Sequence, residues 1–292
     1  MLYKEVLYKW VEAKRLEIRK SSIQNYLQCI NNWIVPILGD HEVENITKKE
    51  LQQFIIDFAS NHKQNTVINI TKPLSGSFKW AEENGLICTS PWKNIKIPQD
   101  FSEKEIIVFS QDEVKRILAA SSDYKKDIIL LGYRTGMRIG EILVLKWEDI
   151  NLTEGFLTIK RTLSGYSENN LEITAPKTKK SRRRVDLDKI TIQMFKNRYD
   201  KKEGYIFSKK DGSIYSRQSI NLPQICRNIG IEPRSFHALR HTHATILLSA
   251  GVHPKVVQER LGHAKISTTL DTYSHLVPGM QQAAINVFDK IT

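Results

Sequence analysis

The sequence predicts a mainly α-helical protein with a small antiparallel β-sheet inserted in the second of two domains, and three observations carry that prediction. Apolar residues recur at helical spacing through the first 90 residues. Alternating, β-branched segments are confined to a short window after Trp147. Residues 91–106 between these regions hold Pro91 and Pro98, mixed charge and no sustained period, the texture of an extended linker. At 292 residues the chain exceeds the usual size of one hydrophobic core. The expected domains are residues 1–90 and 107–292.

In the first domain Val6, Leu7, Trp10 and Val11 mark one helix. Ile23, Leu27, Ile30 and Ile34 mark a second, which ends near Pro36 and Gly39. Thr47 with Glu50 is a capping box opening a third helix through Ala59. A fourth, roughly 66–84, contains Pro73, expected to kink or divide it, and stops at Gly85. In the second domain Ser110 and Glu113 form another capping box, for a helix through Ala120, and a further helix runs from about Tyr124 to Arg134. GFLTIKRT, NLEITAP and RVDL read as three strands of one sheet, and helices return from about Ser216. The tail places Met280, Ala283, Ala284, Val287, Phe288 and Ile291 on one helical stripe, suited to its own domain or to a neighbouring subunit.

The chain carries 44 Lys and Arg against 32 Asp and Glu. Residues 1–100 hold 13 basic and 11 acidic groups, and residues 101–292 hold 31 and 21, so the polyanion-attracting excess belongs to the second domain. Cys29, Cys88 and Cys226 lie far apart, are odd in number and lack CxxC spacing, so neither a disulfide framework nor a cysteine zinc site is indicated, and a reducing cytoplasm fits. No segment reads as a signal peptide or membrane span.

Five local features bear on chemistry. In RTGMRIGE, Gly136 and Gly140 bracket Arg138, and Glu141 is close enough on one helical face to hold its guanidinium, as an ordinary surface ion pair also would. Six of the eight residues from Lys177 to Arg184 are basic, which suits a solvated turn or a DNA phosphate backbone. A lysine there is able to protonate a leaving oxygen if its pKa is tuned. In HALRH, His237 and Arg240 stand at i and i+3, able to face one ligand. His237 and His241 have the i, i+4 spacing of a zinc helix, but Ala238 occupies the position of that motif's acid. His263 precedes Tyr273 by ten residues. A tyrosine is more often a packing residue than a nucleophile. Cationic company is what a phenol of pKa near 10 needs in order to attack at neutral pH. The tail stripe is the fifth feature.

Taken in order, RTGMRIGE, the KT of the basic turn, HALR, LGH and the following tyrosine resemble the tyrosine recombinase or phage-integrase family over nearly the whole chain. The resemblance implies a helical core-binding, SAM-like DNA-binding domain at residues 1–90 and a catalytic domain at 107–292 ending in a tail helix. It implies a site-specific recombinase that cuts and rejoins double-stranded DNA through a 3′-phosphotyrosyl link to Tyr273, integrating or excising a phage or other mobile element. Arg138 and Arg240 would grip the scissile phosphate, Lys177 would protonate the leaving 5′-oxygen, His237 would assist proton transfer, and His263 would hydrogen-bond the phosphate. Glu141 would support the site, and Lys179, Lys180, Arg182, Arg183 and Arg184 would contact DNA. No metal or other cofactor is implied. A tetramer on two DNA sites is implied, and an accessory bending or excision factor is compatible with it. The sequence starts directly at the core-binding helices, as a naturally short recombinase and a trimmed version of a longer integrase with an arm-binding domain both would. A type IB topoisomerase shares the tyrosine and arginine chemistry, and a non-catalytic DNA-binding protein shares the fold. The integrase-like texture of RTGMRIGEILVLKWEDI and the complete catalytic set favour the recombinase.

Overall fold

The computed structural model describes residues 1–99, 107–165, 171–176, 181–198 and 203–267. The chain divides into two compact units, Met1–Glu103 and Lys104–Thr292, each with its own apolar core.

The first unit is helical, with α1 Tyr3–Lys14, α2 Lys20–Cys29, α3 Val35–Leu38, α4 Lys48–Asn61 and α5 Gln64–Glu83. A π-turn, Ile30–Ile34, joins α2 to α3 and shifts the backbone register just before Pro36, which has no N–H to give. Thr47 Oγ1 accepts the Glu50 N–H at 3.2 Å while Glu50 Oε2 accepts the Thr47 N–H at 3.4 Å, so the capping box opens α4 as its sequence predicts. Pro73 does not divide α5, which runs unbroken through it and buries the ring in the core. Tyr3 stacks on Phe78 with centroids 4.5 Å apart and shares a 2.7 Å hydrogen bond with Ser77, so α1 lies directly on α5. Trp92, Ile95 and Ile97, inside the predicted linker, pack on this core, and Gln52 bonds both the N–H and the carbonyl of Lys96. That stretch is therefore part of the helical unit.

The second unit contains α6 Gln111–Ala120, α7 Asp123–Thr135, α8 Ile139–Ile142, α9 Lys189–Arg198, α10 Leu222–Asn228, α11 His237–Ser249 and α12 Pro254–Leu261. Its strands are β1 Ile150–Asn151, β2 Phe156–Ile159, β3 Thr162–Ser164, β4 Glu172–Thr174 and β5 Arg183–Asp186. The three strands read from the sequence do not share one sheet. β2 pairs directly with β5 and with the short β1, whereas β4 pairs with β3 in a separate two-stranded ribbon. The run GFLTIKRT supplies β2 and only the first residue of β3, Thr162: after Ile159 the chain leaves the first sheet, and alternation alone does not mark where a run changes partner.

α11 is the central helix of this unit. It buries Leu239, Arg240, Thr242, His243 and Ala244 and packs on α7 and α12. Thr242 Oγ1 accepts the Phe109 N–H at 2.9 Å, anchoring the chain just before the Ser110 cap of α6. No described helix is long and apolar enough to cross a membrane.

Candidate active site

The site is assembled from four chain ends: the C-terminus of α7, the N-termini of α8 and α11, and the C-terminus of α12. α7 closes on Gly136 in the left-handed conformation, φ +67°. A Cβ there would stand 2.6 Å from Leu261 Cδ2 and 2.8 Å from His243 Cδ2, so glycine is required both for the turn and for the approach of α11 and α12. Two residues on, Arg138 takes extended backbone and becomes the N-cap of α8. Gly140 lets α8 lie against β3, where a Cβ would meet the Leu163 carbonyl at 2.7 Å.

Glu141 is 3% exposed and its carboxylate accepts four hydrogen bonds. Oε1 takes Arg138 Nη1 at 2.9 Å and Arg183 Nη1 at 3.0 Å. Oε2 takes the Arg138 backbone N–H at 2.9 Å and Arg183 Nη2 at 3.0 Å. Burial by itself pushes this carboxyl up, but the Arg183 charge and its two-pronged bond, with Arg138, hold it below the usual carboxylate range. The two arginines differ in setting: the Arg138 side chain is 37% exposed and that of Arg183 is 6% exposed.

Arg183 does not stand on the surface as a DNA contact. β5 alternates, with Arg183 and Val185 inward and Arg184 and Asp186 outward, so the basic run is split by the pleat. Arg183 also donates through Nε to the Arg260 carbonyl at 2.7 Å. Arg182 is exposed, and Arg184 lies outward over the Phe156 ring, 3.8 Å from its centroid, beside Asp186.

Arg240 is 1% exposed. Its Nη1 donates to the Gly136 carbonyl at 2.8 Å and its Nη2 to the Leu261 carbonyl at 2.7 Å, two carbonyls at the ends of α7 and α12. One guanidinium thus replaces the partners that both helix ends lack. His237 opens α11, one turn before Arg240 and exposed, with its ring edge-on to His241 at 4.7 Å. Desolvation by neighbouring groups, then His241, Arg240 and Arg138, pushes His237 down to about 4. His263 follows the left-handed Gly262 cap of α12. Its N–H donates to the Gln258 carbonyl at 3.1 Å, and its carbonyl accepts from Gln258 Nε2 at 2.9 Å. Desolvation, then Arg240, Arg138 and His237, pushes His263 down to about 3. Both imidazoles are therefore neutral at pH 7 and lie within the field of both arginines.

The structure brings Arg138, Glu141, His237, Arg240 and His263 together. Lys177, Lys179, Lys180, Tyr273 and the tail stripe lie outside the described residues. Among the described residues no group of His, Cys, Asp and Glu is placed to hold a metal. Sequence reasoning missed the structural parts of Arg183, Gln258, Arg260 and His243. The signal for Arg183 was available in its period-two spacing from the apolar Val185; Gln258 bonds His263 only five residues on, whereas Arg260 and His243 depend on contacts far apart in sequence. Chemically the arrangement is a cationic pocket with two neutral imidazoles, suited to an oxyanion and to proton movement.

Residues 108–279 match the model of the phage integrase family, and residues 2–58 match the phage integrase N-terminal SAM-like domain. A tyrosine recombinase XerC-like protein of Caldanaerobacter subterraneus subsp. tengcongensis is 28% identical, over 98% of this chain and 82% of the relative. The ICEBs1 integrase of Bacillus subtilis is 26% identical, over 97% and 81%. The fold matches that of the Tn1549 transposon integrase, solved with a circular intermediate DNA, at a TM-score of 0.82 and 19% identity over 99% of both chains. It also matches a lambda integrase dimer bound to a core site, at 0.71 and 19% over 93% and 95%. The chain belongs to the phage integrase family, the tyrosine-type site-specific DNA recombinases.

Proposed function

We propose that this recombinase cleaves one DNA strand at a time by attack of the Tyr273 hydroxyl oxygen on a backbone phosphorus. The O–P bond to tyrosine forms and the P–O5′ bond breaks, leaving a 3′-phosphotyrosyl link and a 5′-hydroxyl. Arg138 and Arg240 neutralise the non-bridging oxygens, where planar forks are worth most as charge grows in the transition state. Lys177 gives the proton taken by the leaving 5′-oxygen. His237, neutral at pH 7, has a ring nitrogen with which to move the proton of the attacking phenol. His263 donates a hydrogen bond to the phosphate, and Glu141 fixes Arg138. Attack by a 5′-hydroxyl from a second strand reverses the step and completes exchange. Phosphodiester is exchanged for phosphotyrosyl ester at little net cost.

The observation that carries this reading is the convergence of two guanidiniums and two neutral imidazoles on the ends of α7, α8, α11 and α12. Arg182 and Arg184, with Lys179 and Lys180, supply contacts to the DNA backbone. The names of the relatives support strand exchange on a mobile element, integration or excision, over relaxation of supercoils. The working assembly is a tetramer on two duplexes in the cytoplasm, with an accessory bending or excision factor where the element supplies one. Residues 1–90, with the stretch through Ile97 that packs on them, serve as the core-binding domain.

The test is incubation of wild type and Tyr273→Phe with labelled DNA from the flanks of the protein's own gene, nicked suicide substrates included, followed by a denaturing gel. A protein–DNA adduct from wild type alone is expected. Equal adduct from both proteins would remove Tyr273 from the chemistry.

A further inference from the structure

We infer that Arg183 is a positioning residue for the strand-cleavage reaction: by occupying half of the Glu141 carboxylate, it keeps the Arg138 guanidinium free to meet a phosphate. The inference rests on the assignment of Arg138 to the scissile phosphate.

An ionised carboxylate has about four acceptor positions. In Glu141 all four are filled, two by Arg183, one by the Arg138 backbone and one by the Arg138 side chain. Arg138 therefore spends one guanidinium donor on Glu141 and cannot close the two-pronged pairing that an arginine and a carboxylate prefer. Without Arg183, two acceptor positions open in a buried carboxylate, and the nearest donors belong to Arg138. Its fork would turn inward to Glu141, away from solvent and from any phosphate. A buried ion pair that served only stability would have no reason to share its carboxylate with a side chain more than a third exposed.

The second contact of Arg183 works in the same direction. Arg183 Nε holds the Arg260 carbonyl and Arg240 Nη2 holds the next carbonyl, Leu261, so two guanidiniums secure the end of α12 from which His263 leaves. Arg183 lies on β5, so one side chain locks this strand, α8 and α12 in a single frame. Displacement of a reacting group by about 1 Å costs up to roughly a hundredfold in rate. This frame has that much to protect.

The experiment compares wild type, Arg183→Met, Arg183→Lys and Arg183→Met with Glu141→Gln, each as the full chain on a nicked suicide substrate. Single-turnover cleavage is read at saturating DNA, with DNA affinity and thermal unfolding measured alongside. Arg183→Met is expected to slow cleavage roughly tenfold to a hundredfold. DNA affinity should change little. Arg183→Lys keeps a charge beside Glu141 and should stay folded, yet one ammonium cannot span both carboxylate oxygens and the Arg260 carbonyl, so it too should be slowed. Adding Glu141→Gln removes the charge that captures Arg138 and should return part of the lost rate. Should Arg183→Met fail to fold, Arg183→Lys decides the question. Wild-type rate per bound protein in Arg183→Lys, or a further loss instead of recovery in the double variant, overturns the inference alone. Absence of adduct from wild type overturns it together with the proposed mechanism.

Discussion

Arg260 Nε donates to His243 Nε2 at 3.0 Å, and this contact fixes the protonation of a buried histidine. Because Nε2 accepts, the proton resides on Nδ1, which points at the Tyr133 carbonyl 2.9 Å away. His243 is 6% exposed, and burial, then the Arg260 charge, pushes its pKa down to about 4. The folded state thus holds the ring neutral where the unfolded chain, at its ordinary 6.5, takes up a proton. Stability from this group is fully present above pH 6.5 and is lost as pH falls towards 4. Its size is on the order of 3 kcal/mol across that window. Urea unfolding at pH 7, 5.5 and 4.5 should show the decline, and His243→Asn, less stable at pH 7, should show a shallower one. Equal slopes in both proteins would remove His243 as the source.

Glu141 gives a second expectation. Glu141→Leu leaves the Arg183 side chain, 6% exposed, without its counter-charge, while Arg138 is able to turn towards solvent. Breaking one side of a buried pair costs about 3–5 kcal/mol. Chemical denaturation of Glu141→Leu should show that loss, and the double variant Glu141→Leu, Arg183→Leu should recover much of it. A loss in Glu141→Leu below about 1 kcal/mol, the size of an exposed pair, would mean that water reaches the site.

Gly136 tests the backbone. Alanine there meets both an unfavourable left-handed φ of +67° and Leu261 Cδ2 at 2.6 Å, and it shifts the carbonyl that accepts Arg240 Nη1. The conformational part alone costs about 1–2 kcal/mol. Gly136→Ala should therefore lower stability by about 2 kcal/mol or more and depress cleavage further than stability explains, read at a temperature where the variant is fully folded. Gly85→Ala, also at positive φ but with open space around its Cβ, is the control and should leave cleavage unchanged.

Much of this was legible in the sequence, and what was not has identifiable causes. Capping residues Thr47 and Ser110 announce their helices because the signal lies within three residues. Arg138, Glu141, His237, Arg240 and His263 could be picked out for the same reason, since each stands in a short run read by spacing. Pro73 does not divide α5, in which its ring is buried against the core, and sequence alone does not separate a Pro that ends a helix from one that tertiary packing holds inside it. The sheet misled because β3 and β4 form a ribbon of their own. Arg183 misled because composition was read in place of pleat: six basic residues in eight suggest a surface, but every second residue of a strand faces the other way. Arg260 and His243 were beyond reach, since Arg260 pairs with carbonyls 74 and 126 positions away.

The two imidazoles of the site should report the bound phosphate. In the free protein His237 and His263 are pushed down to about 4 and about 3, with Arg240 and Arg138 among the causes. A phosphodiester between the arginines offsets that positive charge and favours the imidazolium, so both pKa values should rise when DNA binds, against the further desolvation that binding brings. Histidine NMR titrations of Tyr273→Phe, free and with uncut DNA, measure the shift. Unchanged titrations in a saturated complex would place the phosphate away from these rings.

The split of the basic run yields the last prediction. Arg182 and Arg184 are exposed, and Arg184 bonds Asp186, a surface contact worth less than about 1 kcal/mol. Removing either charge should leave unfolding within about 0.5 kcal/mol of wild type. If each neutralises one phosphate, each alanine variant should weaken DNA binding similarly on all sequences and lower the slope of log affinity against log salt by about 1. Arg183 should behave in the opposite sense, since its charge is spent inside the protein: its loss should be felt in stability and cleavage, with the salt slope unchanged. Binding isotherms at several salt concentrations separate the two patterns. A drop in slope for the Arg183 variant equal to that for Arg184 would mean that β5 changes its pairing when DNA binds, because the pleat forbids these adjacent strand residues from facing the same phosphate backbone.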